Sequence, residues 1–230
     1  MWQALGTSAL VAAGAIVGIA PYVYYVSRVA FAGQIARYAP ERAPADLVRG
    51  ELLSIGFVVL VAALVGTLFA RRYGLAGLGD RTLLLRGRKL LLAAPLLGVA
   101  SYLLFGRAIA ARVPGYYPSS LGWALGHALK GALFDEVVAR FGMMTILCGI
   151  VRHPVVANVL QAAFFTTLAL LGLSFFGLRP GASALFLWSL GATFVTHLLL
   201  GAVYARLGLG VAMLFHLGLG IQYPLHVLLQ

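Results

Sequence analysis

Phe134-Asp135-Glu136-Val137-Val138-Ala139-Arg140 decides how this chain is read. The segment lies inside a run from about Leu121 to Ile150 that is otherwise almost wholly apolar residues, glycine and alanine. Two adjacent carboxylates and an arginine in the middle of a membrane span are each disfavoured by roughly 2.5–3.5 kcal/mol on insertion scales. Solubility gives no reason to keep them there. On an α-helix Glu136 and Arg140 are four apart, so they share a face and can neutralise each other. Asp135 then points about 100° away, toward His127 and Gly131. One reading is a buried ion pair that fixes helix packing. The other is a carboxylate site in a polar cavity inside a membrane protein.

The composition supports a membrane chain. Hydrophobic residues make up 62% of the 230 and charged ones 10%, against about 25% charged in soluble domains. Residues 1–230 therefore read as a single polytopic transmembrane domain. The net charge of +11 comes mostly from arginines between apolar segments. That placement fits loops against anionic lipid headgroups and not a nucleic-acid groove. A lone cysteine, Cys148, excludes an internal disulfide and a multi-cysteine zinc site. It lies in an apolar stretch with no activating base and reads as a core thiol. Neither end carries a lipidation motif.

A span needs about 20 apolar residues. Seven such stretches are expected, at about 5–26, 52–70, 90–105, 121–151, 155–176, 183–205 and 209–229, with six or eight as the alternative counts. No basic residue precedes the first, so it is expected to stay as an anchor. Its Gly14 and Gly18 form a G-x-x-x-G pair suited to close helix approach. Residues 28–51, with Pro40 and Pro44, read as a surface segment, interfacial helix before Pro40. Residues 71–89 hold six basic groups and one acid, Asp80, and read as a loop, the best cytoplasmic candidate. Residues 107–118 read as a membrane-surface connection, after which Ser119 or Ser120 caps the fourth span. Gly122, Gly126 and Gly131 should let a neighbouring helix approach it, Lys130 should snorkel outward, and Pro224 should kink the last span.

His197 and His216, each near the middle of an apolar span, are the next residues to stand out. They lie about ten residues before and nine after the turn at Leu207. At ~1.5 Å per residue both imidazoles sit about 14–15 Å from that turn. Arg140 lies at a similar depth, about 16 Å from its own turn at Arg152, with Glu136 and Asp135 one turn further. One pocket collecting Asp135, Glu136, Arg140, His197 and His216 is expected. His127 and His226, nearer span ends, read as structural or interfacial.

Asp-Glu-x-x-x-Arg on one helix, with a late intramembrane histidine, resembles the CPBP family of CAAX prenyl proteases and bacteriocin-processing proteins, also called Abi. The family pattern is Glu-Glu-x-x-x-Arg, then Phe-x-x-x-His, then His-x-x-x-Asn on three helices. Asp135 to Arg140 is similar to the first motif, and Gly201 to His216, with its Tyr204-x-Arg206-x-Gly208 turn, to the run into the third. The similarity covers about 121–220. It implies a CPBP-like all-α bundle in which the first carboxylate and the second-motif histidine activate a water, while the third-motif histidine and asparagine steady the oxyanion. Three positions depart from the pattern. Asp135 replaces a glutamate, Leu168 of Phe164–Leu168 stands where the second-motif histidine is expected, and Gly220 stands for the asparagine. His197 could fill the empty place beside Asp135 or Glu136.

The expected protein is therefore an integral, multi-pass membrane protein of a prokaryotic cell membrane, its pocket built from the fourth, sixth and seventh spans. The leading expectation is an intramembrane endopeptidase cutting a peptide or protein tail, with Asp135 or Glu136 as base and His197 and His216 in support. An inactive relative that holds a partner helix or ligand is the second, and a transporter subunit with an Asp/Glu/His proton path the third. Neither cofactor nor metal is expected. Two histidines and a carboxylate could form a three-ligand zinc set, but H-E-x-x-H spacing is missing. Membrane lipid and a protein or peptide are the expected partners, with no nucleic acid.

Overall fold

The computed structural model describes residues 2–26, 44–112, 117–175 and 184–230. Among these residues the fold is all helix, with no strand. The first helix, α1, spans Trp2–Tyr25 and the second, α2, Pro44–Phe69. A short 3-10 turn, Arg71–Tyr73, follows. Arg81–Ser101 continues through a π turn, Tyr102–Gly106, into Arg107–Arg112, and the whole is α3. Leu121–Leu129, Lys130–Asp135, Val137–Met144 and Thr145–Val151 form one uninterrupted helix, α4. Pro154–Phe175 is α5, Ala184–Leu207 α6, Leu209–Leu219 α7 and Gln222–Leu228 α8.

Six helical stretches are long and apolar enough to cross a membrane: Trp2–Tyr25, Val48–Phe69, Arg81–Ala111, Pro154–Leu171, Leu187–Leu207 and Leu209–Leu228. Large apolar side chains such as Leu10, Phe57, Leu92 and Leu171 point outward on them, while Ala12, Ala15, Ala62, Ala63, Ala94 and Ala157 are buried. Small residues inside and large ones outside suit a bundle in lipid. There, backbone approach and dispersion hold helices together, because lipid is as apolar as the core.

The centre of the bundle is α4, which packs against α1, α2, α5, α6, α7 and α8. Close approaches are made at glycine. A Cβ on Gly142 would lie 2.6 Å from that of Ala62 in α2, and one on Gly18 of α1 would lie 2.7 Å from Leu133. Gly14 and Gly122 face open space, so only one glycine of the G-x-x-x-G pair makes a contact. Ser120, in extended backbone, accepts from Trp123 N at 3.4 Å and caps α4.

Several expected boundaries move. Helix α3 starts at Arg81 and not near residue 90, because Asp80 is its cap, accepting from Leu83 N at 3.0 Å. The expected loop therefore shrinks to 70–80. Helix α2 already begins at Pro44, so Asp46, Arg49 and Glu51 are helical, and the expected interfacial helix before Pro40 lies outside the described residues. The break near the C-terminus falls at Gly220–Ile221, where α7 gives way to α8, and Pro224 lies in the first turn of α8. Tyr117 is buried, so its part of the 107–118 connection belongs to the interior.

Candidate functional site

Two π stretches of α4, Lys130–Asp135 and Val137–Met144, carry Lys130, Asp135 and Arg140, with Glu136 between them. A π turn bonds residue i to i+5, and is rare and frequently found at functional sites. It also changes which side chains meet. Lys130 and Asp135, five apart, form an ion pair in which Nζ donates to Oδ1 at 3.0 Å and Oδ2 at 2.8 Å. Lys130 therefore turns inward, contrary to the expected snorkelling, and its ammonium also lies 5.4 Å from the Tyr22 ring centroid. This partner was missed in the sequence because five-residue spacing puts two side chains on different faces of an ordinary α-helix.

Glu136 and Arg140 are both fully buried. Arg140 Nη1 lies 3.3 Å from Glu136 Oε1. The same oxygen accepts from His216 Nδ1 at 2.8 Å. On the other side, Arg140 Nη2 donates to His197 Nδ1 at 2.8 Å and approaches the His197 carbonyl at 3.5 Å. The four side chains make one continuous chain, His216–Glu136–Arg140–His197, across α7, α4 and α6. Asp135 sits beside this chain and pairs with Lys130. The hydrogen bond of His197 is to the guanidinium, while its ring and Asp135 line one cavity.

Hydrogen-bond chemistry fixes the two ring tautomers. A guanidinium has only donors, so His197 Nδ1 must accept, which leaves its proton on Nε2 and the ring neutral. A carboxylate only accepts, so His216 Nδ1 carries a proton toward Glu136. Neighbours hold both rings. Phe165 of α5 stacks on His197 at 5.3 Å between centroids and 22° between planes, and Asn158 Nδ2 donates to the adjacent Leu198 carbonyl at 2.8 Å. His216 Nε2 lies against Gly131, where a Cβ would come within 2.9 Å. Any larger residue at 131 would crowd the ring.

These groups border a cavity of about 460 Å³. Lys130, Asp135, His197 and His216 reach its wall, with Gly131, Tyr117, Tyr223 and His127 beside them. Glu136 and Arg140 lie behind that wall. His127 is packed between Tyr22, at 5.1 Å, and Tyr223, at 4.4 Å. His226 is remote from the carboxylates and hydrogen-bonds Tyr102 Oη at 3.0 Å.

Two of the three positions that depart from the resembled pattern, Leu168 and Gly220, have structural settings. Leu168 is 45% exposed and points out of the bundle. On α5 it is Phe165 and Ala169, four apart, that face inward, onto His197 and the cavity respectively. A Cβ on Gly220 would meet that of Ala128 at 2.9 Å, so an asparagine there would have to displace α4. Among the described residues no group of three His, Cys, Asp or Glu side chains is arranged to hold a metal ion. Cys148 is buried, with Sγ 3.6 Å from the Tyr73 carbonyl. No family model, curated protein or solved structure matches the chain.

Proposed function

We propose that this chain is a CPBP-type membrane-embedded endopeptidase in which His216, oriented by Glu136, is the general base. With α4 added to the six apolar stretches the count of spans in this reading is seven, and a prokaryotic cell membrane is the setting. The observation that carries the reading is the 2.8 Å bond from His216 Nδ1 to Glu136, made by a ring that also borders the cavity. A carboxylate that holds one imidazole nitrogen as a donor leaves the other free to accept a proton, the logic by which an acid orients a catalytic histidine. Nε2 of His216 takes a proton from a water as the water oxygen attacks the scissile carbonyl carbon. The oxyanion that forms accepts from Nε2–H of His197, whose tautomer Arg140 sets. Collapse breaks the C–N bond, and the proton on His216 passes to the leaving nitrogen.

This assignment moves the base away from Asp135, the position the family resemblance favours. Both Asp135 oxygens accept from Lys130, and a carboxylate so neutralised is a poor base. The same ion pair favours a second reading, an inactive relative that uses the cavity to hold a peptide or partner helix.

Peptide hydrolysis by the full chain in liposomes separates the two. His216→Gln and Glu136→Gln should each lower turnover at least 100-fold, while Asp135→Asn should stay within about tenfold. Turnover that depends on Asp135 but not on His216 would return the base to the first carboxylate. Peptide retention without hydrolysis by the wild-type chain would establish the binding protein instead.

A further inference from the structure

One end of the bundle gathers basic side chains from three separate connections. Arg71 and Arg72 lie in the 70–80 loop, Arg81, Arg86, Arg88 and Lys89 occupy the first turns of α3, Arg152 ends α4, and Arg206 lies at the end of α6; all are exposed. Asp80 is the one acid in these segments, and its carboxylate already serves as the cap of α3.

The connections are bolted together. Ala76 N donates to Ala205 O at 3.2 Å, Leu209 N to Gly77 O at 2.9 Å and Gly210 N to Leu78 O at 3.1 Å. Gly79 and Gly208, both at positive φ, bring the two backbones into contact. Tyr73 lies against Gly149, one turn before Arg152. The basic groups of the loop, of the α4–α5 turn and of the α6–α7 turn therefore share one preformed surface.

Its level relative to a bilayer follows from α3. At ~1.5 Å per residue the apolar stretch Arg81–Ala111 is a rod of roughly 46 Å, longer than the ~30 Å hydrocarbon layer. A rod of that length leaves at least one end in the headgroup zone, and the cations of its first turns suit that level. Leu84, Leu85 and Leu92 are exposed on the same helix side as Arg81, Arg88 and Lys89, the mixture of leucine and cation that suits an interface.

We propose that this end is a binding platform for anionic phospholipid headgroups, the phosphodiester oxygens being held by cations from at least two connections at once. The proposal is independent of the cavity chemistry. Each basic group removed should lower anionic-lipid affinity about fivefold.

The test is native mass spectrometry of the intact chain in detergent, with phosphatidylglycerol or phosphatidylcholine added. Wild type should retain phosphatidylglycerol at least tenfold better. The triple variant R72Q/R152Q/R206Q should lose roughly 100-fold, whereas R107Q, an exposed arginine toward the other end of α3, should change retention less than twofold. Thermal unfolding in detergent verifies that the variants fold, and R86Q/K89Q gives a second, independent pair if the triple does not. Equal retention of the two lipids, or an R107Q effect as large as the triple, would overturn the proposal. Complete displacement of the lipid by millimolar inorganic phosphate would also overturn it, by assigning the site to free phosphate.

Discussion

Arg140 donates through Nη2 to Nδ1 of His197 at 2.8 Å, so a fully buried guanidinium is held between an imidazole on α6 and the carboxylate of Glu136 on its own helix. Removing the acceptor leaves a buried cationic donor unpaired, at a cost of about 1–3 kcal/mol. His197→Phe should therefore lower thermal stability in detergent by that amount. His197→Gln, whose amide oxygen can accept, should recover much of the loss. Equal destabilisation by both would show that ring packing against Phe165, and not the hydrogen bond, holds the helices.

Glu136 and Arg140 form the buried pair proper. Breaking such a pair by deleting one partner destabilises by about 3–5 kcal/mol, whereas replacing both with apolar residues is often neutral. Glu136→Leu and Arg140→Met should each be severe. The double variant should be more stable than either single. Unfolding midpoints in one detergent decide this, and a double variant no better than the worse single would mean that the His216 and His197 bonds dominate.

Lys130 and Asp135 depend on the π turn to meet. Their side chains are 25% and 22% exposed, so solvent screening keeps the pair near the modest end for ion pairs. A coupling energy of about 1 kcal/mol is expected from the cycle Lys130→Met, Asp135→Asn and the double variant. Additive losses would show that the two groups act separately.

Glycine positions separate contact from open space. An added methyl at Gly98 would lie 2.6 Å from the Leu219 carbonyl oxygen, while Gly14 meets nothing within 4 Å. Gly98→Ala should destabilise by about 1–3 kcal/mol, and Gly14→Ala should be neutral or stabilising by about 0.5–1 kcal/mol. Matched losses at both would contradict the packing of α3 on α7.

Asp80 gives a pH signature. The Leu83 N–H bond to its carboxylate, with a smaller contribution from Thr82, holds its pKa below the ordinary aspartate value. A lowered folded-state pKa means that the cap stabilises fully above the unfolded value of about 3.9 and fades as pH falls through the lower folded one. Asp80→Ala should thus be less stable than wild type at pH 7, and the gap should close toward pH 3. Asp80→Asn, whose amide oxygen caps at any pH, should keep the same advantage over Asp80→Ala across that range.

Much of the architecture was legible in the chain itself. Hydropathy and composition give an all-helical membrane-type bundle, because a backbone in lipid must satisfy its own hydrogen bonds. A cap at Ser119 or Ser120 is readable, and Glu136 and Arg140 read as a pair from four-residue spacing alone. The common depth of His197, His216 and Arg140 was countable from their distances to the turns. What sequence could not supply was rotation about each helix axis. The contacts at Gly142, Gly18 and Gly131 set that rotation, and with it the approach of His197 to Arg140 and of His216 to Glu136. Nor could it supply the π turns of α4, which bring Lys130 to Asp135. A π turn follows from how a helix is packed along its whole length, and only the tertiary structure decides that.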